Sequence, residues 1–387
     1  MTKNLTFYEF FAGGGMARQG LRNGWQCVFA NDSDKKKCRT YRENWGDHDL
    51  FPGDVGAVSI ADLPGRCDLA WASSPCQDFS LAGNGAGLNG DKSNVFWSFW
   101  RLITELADER RKPRAIVIEN VRGLLTSRGG RDFQTICRAL TIENYRIGGF
   151  VIDACHFVPQ SRPRLFLIGF LDDECLRPES VDPSDLWHPK VMRDAVSAFP
   201  PFVAESWDWW ALPKPPVRGS DLADILEADV AWDREEKTLK LLNLMNSINR
   251  EKVVARAAFK YHSIGAAFRR TRIENGKRKQ RVEVRFDGLA GCLRTPGGGS
   301  SRQTIFRVGR GEVRSRLLTP RETARLMGLN DEYKLPSRSN DALQLSGDGV
   351  VVPVVEFLNE FVLKPALSRT EIGSSTEWQN EQSLAKA

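Results

Sequence analysis

The 387 residues are 41% hydrophobic and 27% charged, proportions of a soluble globular protein with room for more than one lobe. No run approaches the roughly 18 apolar residues of a membrane span, and the N-terminus leads straight into strand-like sequence rather than a secretion signal, so a cytoplasmic protein is expected. Eight scattered cysteines without a CxxC pair and four dispersed histidines exclude a disulfide scaffold and offer no metal-ligand spacing; no metal is expected. The net charge of +6 is unevenly spread. Residues 250–316 carry 18 Lys and Arg against 5 Asp and Glu, a local +13 that leaves −7 for the remainder. A mildly acidic body with a strongly basic insert points to a polyanionic partner docking on one face.

The first half alternates short apolar runs with amphipathic stretches. Strands are read at 5–11, 26–30, 68–72, 115–118, 149–154 and 165–170, and helices at 16–23, 35–44, 95–110 and 132–140. This is the α/β layout of a doubly wound, mostly parallel sheet, whose ligands sit at the carboxyl ends of strands. After residue 171 comes a Pro- and Trp-rich stretch (172–216, with Trp187, Trp207, Trp209 and Trp210), read as a packed joint between lobes. A helical, mixed-charge segment is read at 221–249. Residues 269–286 read as a basic β-hairpin about Asn275-Gly276, a favoured type I′ turn pair. A glycine loop lies within 290–307. Thr319-Pro320-Arg321-Glu322 has the form of a capped helix start, and a last helix is read at 351–363. Beyond 365 the chain is polar and reads as disordered.

Three strand-end features suit a nucleoside cofactor. The turn Phe11-Ala12-Gly13-Gly14-Gly15 after the first strand lets backbone approach a ligand at a helix N-terminus, though Arg18 occupies the third glycine's place in the dinucleotide pattern. Asp32, followed by Ser33, is placed to accept from a ribose. Asp54, followed by Val55, is placed to read an adenine amino group.

A second constellation joins Ser74-Pro75-Cys76, Glu119-Asn120 and Gln160-Ser161-Arg162-Pro163-Arg164, each at or beside a predicted strand end. A cysteine, a carboxyl group and an arginine form the set that adds a thiolate to cytosine C6. The ring accepts the thiolate when an acid holds N3 and a cation holds O2, and C5 then becomes the nucleophile. On residues alone, a buried thiol beside a structural Glu–Arg pair accounts for the same pattern.

In order along 5–171 and 316–365 the chain carries Phe-Ala-Gly-Gly-Gly-Met-Ala, Asn31-Asp32, Gly53-Asp54-Val55, Ser74-Pro75-Cys76-Gln77, Glu119-Asn120-Val121, Gln160-x-Arg162-x-Arg164, Leu318-Thr319-Pro320-Arg321-Glu322 and Gly347-Asp348-Gly349-Val350. This ordered set resembles the cytosine-5 DNA methyltransferases. The resemblance implies S-adenosyl-L-methionine as methyl donor, cupped by Phe11, Gly13, Gly15, Asp32, Ser33, Asp54, Val55, Pro75, Val95, Asp348 and Val350. It implies Cys76 as nucleophile, Glu119 as the N3 partner, and Arg162 and Arg164 as active-site arginines. It makes 81–94, with Gly83, Gly85, Gly87 and Gly90, a lid. Two places depart from the family pattern: Ser74 stands for the first proline of Pro-Pro-Cys, and Asp348 for an asparagine. An ionised Asp348 accepts hydrogen bonds but donates none.

A base inside a duplex cannot offer C6 to a cysteine, so the target must flip out. Candidate DNA contacts are Ser80, Arg269, Arg270, Arg272, Lys277, Arg278, Lys279 and Arg281. From the glycine loop come Arg294, Gly298, Ser300, Arg302 and Gln303, arginine toward guanine and glutamine toward adenine. The expected division is a catalytic domain over 1–185 completed by 340–365, a target-recognition domain over 186–318, a linking helix over 319–339 and a tail over 366–387. The expected function is methylation of cytosine C5 in duplex DNA by a monomer, with a cognate restriction endonuclease as a possible partner. RNA methylation and a non-catalytic DNA-binding relative are the alternatives.

Overall fold

Strands apolar on both faces set the architecture. β1 (Leu5–Phe10), β4 (Leu69–Ala72) and β5 (Ala115–Val121) bury nearly every side chain, as parallel strands covered by helices must. The computed structural model describes residues 4–74, 95–274, 276–296 and 302–367. Pro75, Cys76, Ser80, the segment 81–94, Gly298, Ser300 and the chain from 368 onward lie outside the described residues.

With β2 (Trp25–Asp32), β3 (Leu50–Pro52), β6 (Tyr145–Asp153) and β7 (Pro163–Leu171), these strands form one sheet in the order β3-β2-β1-β4-β5-β7-β6. All neighbours pair parallel except β7, which runs antiparallel to β5 and β6. The two-residue period of a strand divides the core. Phe7, Leu69, Trp71 and Val117 face one layer, and Tyr8, Phe10, Ala70, Ala72, Ile116 and Ile118 face the other. Helices α1 (Met16–Leu21) and α2 (Lys35–Trp45) follow β1 and β2. Their counterparts on the second layer are α3 (Val95–Asp108) and α4 (Arg131–Ile142). α3 inserts Phe96, Phe99, Ile103 and Leu106, spaced to share one helical face.

The stretch after β7 holds α5 (Lys190–Ser197) and α6 (Pro201–Ala204). Trp187, Trp207 and Trp210 are buried and Trp209 is half-buried: Trp207 meets Phe133 and Phe199 edge-on, and Trp210 lies 5.3 Å from the Phe170 ring. α7 (Glu235–Asn243) and α8 (Ser247–Ala257) then cover a four-stranded antiparallel sheet ordered β11-β10-β8-β9. β8 (Ser263–Glu274) and β9 (Lys277–Arg285) are the expected hairpin. Glu274 pairs with Lys277 across a two-residue turn, with Gly276 at φ 72°.

One reading needs correction. Residues 221–234 are not helical; that helix begins only at Glu235, after turns such as the one in which Asp224 accepts from the Asp221 N–H at 2.6 Å. A second hairpin, without a sequence signal, follows the glycine loop: β10 (Thr304–Gly309) pairs with β11 (Glu312–Leu317). Their tight turn is Arg310-Gly311, with φ of 53° and 77°, a pair outside the usual Asn-Gly signature.

The chain returns through α9 (Pro320–Arg325), α10 (Ser339–Asp348), α11 (Val352–Leu358) and α12 (Lys364–Leu367). Thr319 and Glu322 cap α9 reciprocally. α11 lies against α1, and Trp25 Nε1 donates to Asn359 Oδ1 at 2.7 Å. No helix among the described residues is long and apolar enough to cross a membrane.

Glu9, buried in β1, accepts the Arg18 N–H at 3.2 Å and, among the described residues, leaves Oε2 without a partner, so burial pushes its carboxyl up to about 8. An acid raised in the folded state favours folding below its unfolded pKa. That contribution is lost as pH rises from about 4.5 to about 8. Glu9→Gln is therefore expected to raise the denaturation midpoint at pH 8 relative to wild type, with little gain at pH 4.5. Urea titrations at the two pH values check it.

Candidate active site

Register brings the site together. Phe10 pairs with Ala72 and Ala72 with Ile118, so the residues after β1, β4 and β5 emerge side by side at one sheet edge. Asn120 donates from Nδ2 to the Ser74 carbonyl at 3.0 Å, fixing the residue that precedes Pro75. Glu119 is 6% exposed. Its Oε1 lies 3.3 Å from Arg164 Nε, which comes from antiparallel β7. Burial raises the Glu119 pKa, opposed by Arg164, Arg162 and a hydrogen bond with Ser73. The antiparallel insertion of β7 between β5 and β6 is what carries the arginine beside the acid.

Arg162 and Arg164 diverge. Arg162, 2% exposed, donates to the carbonyls of Leu293 at 3.0 Å, Gly347 at 2.8 Å and Gly349 at 2.7 Å. Gln160 works beside it, donating to the Leu326 carbonyl at 2.8 Å and accepting from the Leu293 N–H at 3.0 Å. The backbone adds Ser161 N–H to the Ala290 carbonyl and Ala290 N–H to the Pro159 carbonyl. This short stretch therefore clips together residues 290–293, the end of α9 and the C-terminal end of α10. Arg162→Met keeps the bulk but strands three carbonyls. It is expected to cost about 3 kcal/mol or more in urea unfolding, unsatisfied buried groups costing about 1–3 kcal/mol each.

The cofactor candidates line the neighbouring strand ends. Phe11 holds φ 58°, an uncommon conformation for a bulky residue. Gly13 and Gly15 take φ of 58° and 78°, which their lack of Cβ permits. The Gly14 carbonyl accepts from Trp45 Nε1 at 3.0 Å and the Tyr333 hydroxyl at 2.7 Å, gripping the loop from α2 and from the returning chain. Asp32, nearly buried, accepts the N–H groups of Gly13 and Asp34, both at 2.8 Å; its pKa is raised by burial and held back chiefly by Lys37. Asp54 caps the turn at Val55–Ala57 by accepting the Gly56 N–H at 2.7 Å. Val55 and Val350 are buried, Ser33 is exposed, and Val95 begins α3.

Asp348 forms an ion pair with Lys37 at 2.6 Å. Lys37, Trp45 and Tyr333 were not singled out from sequence. Lys37 sits in a triple-lysine run that reads as solvated surface, and Tyr333 meets Gly14 from 319 residues away.

The basic hairpin is partly neutralised. Arg270 and Arg272 pair with Glu283, and Lys279 and Arg281 with Glu274. Among the described residues Arg269, Lys277, Arg278 and Arg294 enter no ion pair. Arg302 donates to Asn340.

The family model of the C-5 cytosine-specific DNA methylases matches residues 5–364. The chain belongs to that family. The methylase is 28% identical over 366 residues to the type II methyltransferase M.NlaX of Neisseria lactamica, spanning 93% of this chain and 96% of that one. With M.HpaII of Haemophilus parainfluenzae it shares 27% over 385 residues, 94% and 90% of the two chains. Its enzyme class is accordingly DNA (cytosine-5-)-methyltransferase. Its fold is shared with the crystal structures of Schizosaccharomyces pombe Dnmt2 (TM-score 0.58, 17% identity, 94% of this chain and 99% of that one) and a Spodoptera frugiperda DNMT2 variant (TM-score 0.61, 16%, 92% and 99%).

Proposed function

We propose that the methylase transfers a methyl group from S-adenosyl-L-methionine to C5 of a cytosine flipped out of a specific duplex DNA sequence, through a covalent bond from Cys76 to C6. The observation that carries this reading is the buried Glu119–Arg164 pair, set at the strand edge from which residues 73–74 lead to Cys76.

The strand-end residues fit the cofactor: an almost buried carboxylate at Asp32, a gripped glycine turn, the Asp54 cap and apolar Val55 and Val350. When bound, that cofactor supplies an electrophilic methyl on sulfonium. Pro75, Val95 and Asp348 are the further cofactor contacts of this reading, Asp348 as an acceptor whose charge Lys37 balances.

Cys76 as thiolate bonds to C6, and electron density moves to C5 while Glu119 holds the proton at N3 and Arg164 faces O2. After C5 is methylated, its proton passes to solvent as the sulfur–C6 bond breaks, which restores the aromatic ring and releases Cys76 as the thiolate. Arg162 acts as a positioning residue, through the carbonyls that fix the surrounding segments. Arg269, Lys277 and Arg278 are the phosphate contacts with free charge. Arg270, Arg272, Lys279 and Arg281 must exchange an internal partner to serve, and Ser80, Gly298 and Ser300 complete the DNA-facing set.

In this reading the enzyme acts as a monomer in the cytoplasm, as the modification partner of a restriction endonuclease or as a solitary methylase. Labelled S-adenosyl-L-methionine with either duplex DNA or tRNA, followed by bisulfite mapping, tests it. Label at a fixed cytosine in DNA is expected; label in tRNA alone overturns it, and no transfer to either leaves a DNA-binding protein without catalysis.

A further inference from the structure

A cavity of about 70 Å³ opens on the recognition sheet, between β8 and residues 291–294. It shares a wall with the active site: Cys292 lines it, and Cys292 Sγ lies 3.5 Å from Arg162 and 3.9 Å from Arg164. A base lodged here would neighbour the flipped cytosine along the strand.

The cavity is lined by Gln303, just before β10 and only 6% exposed. Its Oε1 is buried and, among the described residues, accepts no hydrogen bond. Buried acceptors rarely go unpaired, because the lost hydration is not recovered. The main-chain carbonyl of Gln303 accepts the Leu318 N–H at 3.1 Å, and a Cβ on Gly291 would come within 3.1–3.2 Å of both heteroatoms of the side-chain amide. Glycine at 291 is what lets the side chain lie flat there. Phe268 supplies an aromatic edge with Arg270 stacked over it at 4.6 Å, and Arg269 and Arg294 bring unpaired positive charge.

Resting on the DNA-methylation reading, we propose that Gln303 reads one adenine of the recognition sequence, Oε1 accepting from N6 and Nε2 donating to N7. A glutamine amide matches that pair of atoms on adenine alone. Guanine and thymine would set an oxygen against the unpaired Oε1, and cytosine offers an N4 donor but no adjacent acceptor for Nε2. A desolvated acceptor rejects such partners more strongly than an exposed one, because the mismatch leaves it unpaired. Arg302, the adjoining candidate, already has its guanidinium on Asn340.

The test is to methylate a randomised duplex library with the full chain and S-adenosyl-L-methionine, then read the motif by bisulfite sequencing for wild type, Gln303→Leu and Gln303→Glu. The wild-type motif is expected to hold a fixed adenine. In Gln303→Leu the preference at that position alone should fall roughly 5- to 150-fold. In Gln303→Glu it should move toward cytosine, whose N4 a carboxylate accepts. If the leucine variant does not fold, the near-isosteric glutamate variant carries the test. A motif without adenine, a motif unchanged in the variants, or equal loosening at every position overturns the assignment. Transfer into an adenine-free motif overturns only the role of Gln303, whereas no transfer to any duplex overturns the methylation reading itself.

Discussion

Cys76→Ser is expected to abolish methyl transfer, by about 10⁴-fold or more, while leaving cofactor binding intact. The size follows from the role: a hydroxyl is far harder to ionise than a thiol, and without addition at C6 the C5 carbon never becomes nucleophilic. Losing a nucleophile removes a covalent route entirely rather than weakening one contact. Two measurements separate this from a folding defect. Isothermal titration with S-adenosylhomocysteine should return a wild-type dissociation constant. Duplex DNA carrying 5-fluorocytosine should trap the wild type in a denaturation-stable adduct, because fluorine at C5 cannot leave as a proton, and should fail to trap the variant. An adduct that persists with serine would assign the covalent bond elsewhere.

The second large effect falls on Glu119. Burial raises its pKa, so in the folded protein the protonated form survives to higher pH than on a free glutamate. That form is the one the N3 contact uses. Single-turnover transfer should therefore decline as pH rises through the raised value and hold steady below it, until thiolate formation at Cys76 limits the acidic side. Glu119→Gln keeps a donor beside Arg164 but no proton to give, and should slow transfer by about 10²- to 10⁴-fold. The glutamine variant should also lose the alkaline limb. An unchanged alkaline limb would place that titration on another group.

Much of this was legible in the sequence where the information was local. β1, β4 and β5 announce themselves as short apolar runs, and the α9 cap is written in four consecutive residues. Glu119 and Arg164 were grouped by the chemistry that a cysteine, an acid and a cation perform together, and the structure sets the two side by side. What escaped depends on distance or on weak local signals. β3 has three residues, too few for a period to show. β10 and β11 are joined by Arg310-Gly311, whose backbone takes a hairpin turn without the usual dipeptide. Arg162 and Arg164 are separated only by Pro163, and nothing in the motif says that one turns to the acid and the other to three carbonyls. The same holds for Lys37, whose partner lies 311 residues further on.

The clip made by Gln160 and Arg162 grips its neighbours through main-chain atoms: the carbonyls of Leu293, Leu326, Gly347 and Gly349 and the N–H of Leu293. Main-chain carbonyls are the same whatever residue bears them. At Leu293 such a fastening does not depend on the side chain, whereas Gly347 leaves no room for a Cβ against the Arg294–Thr295 backbone. The DNA-reading surface can then change residue by residue, or be exchanged as a block, with its seat against the catalytic sheet preserved. Chemistry and target choice are thereby left free to evolve at different speeds within one polypeptide.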